Sequence, residues 1–105
     1  MKTNIFGITD KSYTEIVAIL KALPNLTKVI VFGSRSLGNF KNGSDIDLAL
    51  VFDKKIDFLE ILKLKAKFEN SYIIPYRVDI IDYNNIDNPK LKQHIDEFGI
   101  ELKLN

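Results

Sequence analysis

The sequence predicts a single small α/β (α+β) domain, a mixed β-sheet flanked by helices, and three observations carry that expectation. Short β-branched and aromatic runs alternate with longer segments of helical periodicity. The length, 105 residues, suits one core, because a chain of this size buries only roughly 60–70% of its unfolded surface. Composition is that of an ordinary globular protein, 46% hydrophobic and 28% charged, with no repeat, low-complexity tract or linker. One domain over residues 1–105 is therefore expected.

The elements follow in order. Ser12 and Glu15 form a capping box, and Tyr13, Ile16, Val17, Leu20 and Leu23 recur at helical spacing until Pro24, which predicts a helix over about 12–23. Lys28 to Phe32 reads as a strand buried on both faces and ended by Gly33. The polar stretch from Gly33 to Ser44 holds three glycines and reads as a loop with one helical turn. From Asp45 to Phe52 the chain alternates as a strand, with Asp45, Asp47, Ala49 and Val51 on one face.

A lysine-rich helix over about 56–69 is expected to turn Phe58, Leu59, Ile61, Leu62 and Ala66 to the core. Tyr76 to Asp82 forms a third strand. Asn88, Pro89 and Gly99 then mark the start and stop of a last helix with Leu91, Ile95 and Phe98 inward. Ile100 to Leu104 is left as an extended or frayed tail. The order is α, β, β, α, β, α around one sheet.

Charge and cysteine usage narrow the function. Fifteen basic against fourteen acidic residues leave +1, and the thirteen lysines are scattered, so direct nucleic-acid binding and membrane coating are not expected. The absence of cysteine removes disulfides, thiolate metal sites and cysteine nucleophiles, and with no leader or membrane-spanning run visible it favours a cytoplasmic location.

The chemistry is concentrated between Phe32 and Leu48. Gly33, just past a strand, lets a phosphate approach the backbone, where Ser34 and the following amides donate hydrogen bonds and Arg35 adds charge. Ten residues later Asp45 and Asp47 leave one strand face about 7 Å apart. Two like charges so placed repel unless a cation sits between them. Magnesium, bound by carboxylates and substrate phosphates, suits that position; two ions about 3.5–4 Å apart would serve an in-line displacement. A third acid comes from the next strand, Asp79 being preferred and Asp82 its rival on the opposite face.

Each piece has a plainer reading: Gly-Ser as a turn, Asp-x-Asp as a surface strand or calcium loop, Asp79 as a strand-end solvating group. The apolar run Leu48–Phe52 after the acids argues against the surface reading. A Walker A loop fails because Asn39 and Phe40 stand where lysine and a hydroxyl are needed, and no GxGxxG loop is present. His94, the single histidine, is read as a surface or core-edge residue.

Gly33, Ser34, Asp45 and Asp47 match, without a gap, the signature of the nucleotidyltransferase superfamily that shares the palm of DNA polymerase β: Gly-Ser, ten residues, Asp-x-Asp. The flanks Val31 to Arg35, Gly43 to Ala49, Val78 to Asp82 and Ile95 to Gly99 resemble the minimal nucleotidyltransferase (MNT) group of prokaryotes, over roughly residues 10–102. The resemblance implies a polymerase-β-palm-like fold, ATP as substrate held by Gly33, Ser34 and Arg35, two Mg²⁺ on Asp45 and Asp47, and Asp79 as the third acid of that catalytic and metal-binding set. It also implies a HEPN-family toxin as partner, with AMP moved to a tyrosine of that toxin and the chain acting as antitoxin. Ser36 replaces an alanine common after the arginine, a change expected to matter little.

Two other functions fit the same motif. One is transfer to a small-molecule hydroxyl, as in aminoglycoside nucleotidyltransferases, although those carry an additional helical domain for the acceptor. The other is a non-catalytic nucleotide-binding protein that inhibits its partner by occupancy, which the intact acid set disfavours. Base preference, acceptor identity and oligomeric state are not written in the motif.

Overall fold

A computed structural model describes residues 4–104 of the chain. Four strands, β1 (Leu26–Phe32), β2 (Ile46–Phe52), β3 (Val78–Asp82) and β4 (Ile100–Glu101), form one mixed sheet in the order β3-β2-β1-β4. β1 runs antiparallel to β2 and β4, and β2 runs parallel to β3. Parallel neighbours need a long crossover, and α3 (Phe58–Glu69) supplies it. Between β1 and β2 lies the short helix α2 (Ser34–Leu37). The helix α1 (Asp10–Lys21) precedes the sheet, and α4 (Pro89–Phe98) follows a 3₁₀ turn at Tyr83–Asn85.

Alternation divides the sheet into two unlike faces. Val29 and Val31, with Ile46, Leu48, Leu50 and Phe52, are buried in one cluster with Ile16 and Leu20 of α1 and Ile61, Leu64 and Phe68 of α3. Residues one position off point the other way: Phe32, Asp47, Ala49 and Asp79. α4 packs on that second face, where Ile95 is buried. Among the described residues no helix is long and apolar enough to cross a membrane.

Several expectations are corrected. α1 starts earlier than expected because Thr9, not Ser12, is its N-cap: the Thr9 side chain accepts from the Ser12 amide. Ser12 is instead buried, its hydroxyl donating to the Ile73 carbonyl, and Glu15 accepts from Ser71. β1 is not buried on both faces, since Lys28 is exposed and Ile30 half-buried.

The core face of α3 is also rotated. Ile61, Leu64 and Phe68 face inward at i, i+3 and i+7, while Phe58 is 68% exposed, Leu59 59%, and Leu62 and Ala66 are exposed as well. Of the three inward positions expected in α4, Ile95 is buried, Leu91 half-buried and Phe98 exposed. The tail is not frayed: Ile100–Glu101 pairs with β1, and Leu102 is buried with its amide donating to the Val29 carbonyl at 2.8 Å.

Candidate active site

β1 ends at Phe32, which lies opposite Asp47 in the antiparallel register. The chain then turns at Gly33, with φ 74° and ψ −150°, a conformation that essentially only glycine adopts. Space demands glycine as well, because a Cβ there would lie 2.5 Å from Asp47 Oδ2. The Gly33 carbonyl accepts from the Ser36 and Leu37 amides and from the Ser36 hydroxyl at 3.0 Å. Ser36, expected to matter little, is thus part of the turn. Ser34 follows half-exposed at the head of α2.

Arg35 lies elsewhere than expected. Only 2% exposed, it donates from Nε and Nη2 to the Ser44 carbonyl (3.2 and 2.7 Å) and from Nη1 to the Phe6 carbonyl (2.8 Å). Its guanidinium also sits over the rings of Phe40 and Tyr76, 5.1 and 4.7 Å from the centroids. Burial pushes it down from its ordinary value, opposed by Tyr76, Asp45 and Asp47. A guanidinium carries five N–H donors in a rigid fork, and three atoms of this one are committed to carbonyls. The expected phosphate contact gives way to a tie that closes the loop from Gly33 to Ser44.

The three acids come to one end of the sheet. Asp45 is exposed and lies just ahead of β2; Asp47 is half-buried within it. Asp79 is the parallel-register partner of Asp47 on β3. Burial raises the Asp47 carboxyl above its ordinary value, Asp79 and then Asp45 raise it further, and Arg35 pulls the other way. Asp82 has a different occupation, accepting from the Asn84 amide and Asn85 Nδ2 as the cap of the 3₁₀ turn. Asp79 stands on an edge strand, and its Oδ1 meets Arg77 Nε at 3.5 Å.

Among the described residues no three acids or histidines already converge as a metal cluster. The donor set nonetheless fits a hard divalent cation. Carboxylate oxygens are its preferred ligands, and a cation beside Asp47 would relieve the repulsion that raises that carboxyl.

His94 is the site residue that sequence reasoning missed. Its Nε2 accepts the Gly33 N–H at 3.2 Å across 61 positions of chain, so no local pattern announces it. Arg77 was likewise passed over, although its place two residues before Asp79 on an extended segment put both side chains on one side.

The family described as Polymerase beta, Nucleotidyltransferase matches residues 14–104 of this chain. The protein of Haemophilus influenzae named Probable protein adenylyltransferase MntA is 40% identical over 75 residues, covering 67% of this chain and 64% of its own length. Among solved structures, a chain of a toxin-antitoxin crystal structure with AMP-PNP superposes with TM-score 0.72 at 26% identity, covering 87% of this chain and 72% of that one. A structure of tri-AMPylated Shewanella oneidensis HEPN toxin in complex with MNT antitoxin shares the fold, with TM-score 0.67 at 24% identity over 88% of this chain and 69% of that one. With the Gly-Ser turn set above a paired-acid strand and a family match over most of its length, the chain belongs to the polymerase-β-type nucleotidyltransferases, as one of their minimal members.

Proposed function

We propose that this chain transfers AMP from ATP, with Mg²⁺, to a hydroxyl of a HEPN-type partner, a tyrosine by preference, and so acts as the antitoxin of a cytoplasmic toxin–antitoxin pair. The observation that supports it most is the register setting Asp47 beside Asp79 and directly below the Gly33 turn. The names of the relatives give the direction: a protein adenylyltransferase, a toxin–antitoxin complex with AMP-PNP and an AMPylated HEPN toxin.

In this reading Ser34 donates its hydroxyl to the triphosphate, and Gly33 leaves the space beside it clear. Asp45 and Asp47 hold two Mg²⁺, with Asp79 as the third acid. The ions, when bound, neutralise phosphate charge and favour the ionised acceptor. Asp79, half-exposed at the open edge, orients the acceptor hydroxyl for in-line approach at about 3–3.5 Å from the α-phosphorus. The acceptor oxygen bonds to that phosphorus, the bond to the bridging pyrophosphate oxygen breaks, the hydroxyl proton passes to solvent and pyrophosphate leaves. A phenol suits the step because its pKa, about 10, lies below that of an aliphatic hydroxyl.

The test is incubation of the chain with ATP labelled at the α-phosphate, Mg²⁺ and the HEPN partner. Label on the partner, lost with chelator, is expected. Label on a free aminoglycoside instead would move the function to small-molecule transfer; a tight complex without label would leave inhibition by occupancy.

A further inference from the structure

His94 is the chain's one histidine, and the transfer chemistry proposed above makes no use of it. Its position is nevertheless closely specified. The ring meets Phe32 edge-on at 6.3 Å and 77° and leans on Phe98 at 5.6 Å and 45°. The helix beneath it is fixed at both ends. Asn88 caps the first turn by accepting from the Lys90 and Leu91 amides. Gly99 passes so close to β1 that a Cβ would lie 2.4 Å from Ile30 Cγ2 and equally close to the Ile95 carbonyl. The half-buried imidazole thus sits between two aromatic rings on a helix anchored at both ends.

Its Nε2 accepts the Gly33 N–H, which requires the neutral ring with its proton on Nδ1. The residue so tethered is the one that most needs it. Glycine loses more backbone freedom on ordering than any other residue, and Gly33 must stay in a conformation other residues avoid. Ser36 and Leu37 hold its carbonyl; without His94 its amide end has no comparable hold.

We infer that His94 is a positioning residue for the nucleotide: by accepting the Gly33 amide hydrogen it locks the turn that presents Ser34 above Asp47. The inference rests on the reading of Ser34 as a triphosphate contact. Because the turn would hold ATP alike in the ground and transition states, its loosening falls on KM rather than kcat.

Two substitutions separate this role from its rivals. His94→Gln keeps an acceptor at the reach of Nε2, whereas His94→Leu keeps bulk between Phe32 and Phe98 and removes the acceptor. With the HEPN partner as acceptor, Leu is expected to raise the KM for MgATP about tenfold and change kcat less than about threefold, while Gln stays within about threefold of the native chain in both. In the native chain, NMR is expected to show a ¹⁵N–¹⁵N coupling across the hydrogen bond from Gly33 to His94, together with slow exchange of the Gly33 amide.

A Leu variant with native KM, or a Gln variant as impaired as Leu, would overturn the inference. Ser34→Ala distinguishes the two levels of the argument. If it weakens MgATP binding and His94→Leu does not, only the role of His94 fails. If Ser34→Ala leaves MgATP binding intact, the reading of the turn fails and the inference with it.

Discussion

Burial and two neighbouring carboxylates hold the Asp47 carboxyl above its ordinary value, so without a cation its ionised form opposes folding. The folded chain holds this proton more tightly than the unfolded one does. The associated stability is therefore complete below the unfolded value of about 4 and is lost as pH rises through the folded value. Asp47→Asn is expected to leave the apo thermal midpoint at neutral pH unchanged or raised by up to about 4 °C, with the gap to the native chain closing toward pH 4. Transfer should fall about 10²- to 10³-fold or more. Strong unfolding of the apo variant would make the acid structural. Asp79 and Asp82 separate in the opposite sense. Asp79, half-exposed beside Arg77, contributes little to stability, so Asp79→Ala should cost transfer about 10²-fold with a near-native midpoint. Asp82→Ala removes a turn cap worth about 0.5–2 kcal/mol, so it should lower the midpoint and spare transfer. The reverse pattern, read by kinetics beside thermal unfolding, would move the site to the other sheet face.

At the scale of elements, the segment from Gly33 to Ser44 behaves as one closed loop tied by Arg35. Removing a buried guanidinium strands the Ser44 and Phe6 carbonyls and empties the space between Phe40 and Tyr76. Arg35→Ala is expected to cost about 2–4 kcal/mol, a midpoint drop of about 10 °C or more. A native midpoint with a raised KM for ATP would return Arg35 to the phosphate. The placement of the turn and the acids was more legible in the sequence than the packing. The Gly-Ser turn and the paired acids were legible because each follows from a local rule, a glycine after a strand and alternation along it. The inward face of α3 was not: seven apolar residues over Phe58–Phe68 permit more than one stripe, and the sheet selected Ile61, Leu64 and Phe68. Nor was the role of Arg35, since a cation beside a presumed phosphate site and a cation buried under its loop read alike until Phe6 is folded against it. The final strand was hidden too, because a two-residue edge strand has no periodicity to read.

On the scale of the whole molecule, the sheet puts its apolar core on the face covered by α1 and α3 and its acids on the face shared with α4, so core and candidate site use opposite sides of the same strands. That division explains why like charges are tolerated here: Asp45 is exposed and Asp47 and Asp79 lie at the open end of β2 and β3 rather than within the core. In the proposed function the partner brings its acceptor hydroxyl to this open end of the sheet. The most direct test is the intact mass of the HEPN partner after co-expression with the native chain and with Asp45→Asn/Asp47→Asn. The proposed transfer predicts AMP additions on the partner with the native chain, none with the variant, and loss of the additions when the acceptor tyrosine is changed to phenylalanine with the complex still formed. An unmodified partner with the native chain, or equal modification with the variant, would contradict it.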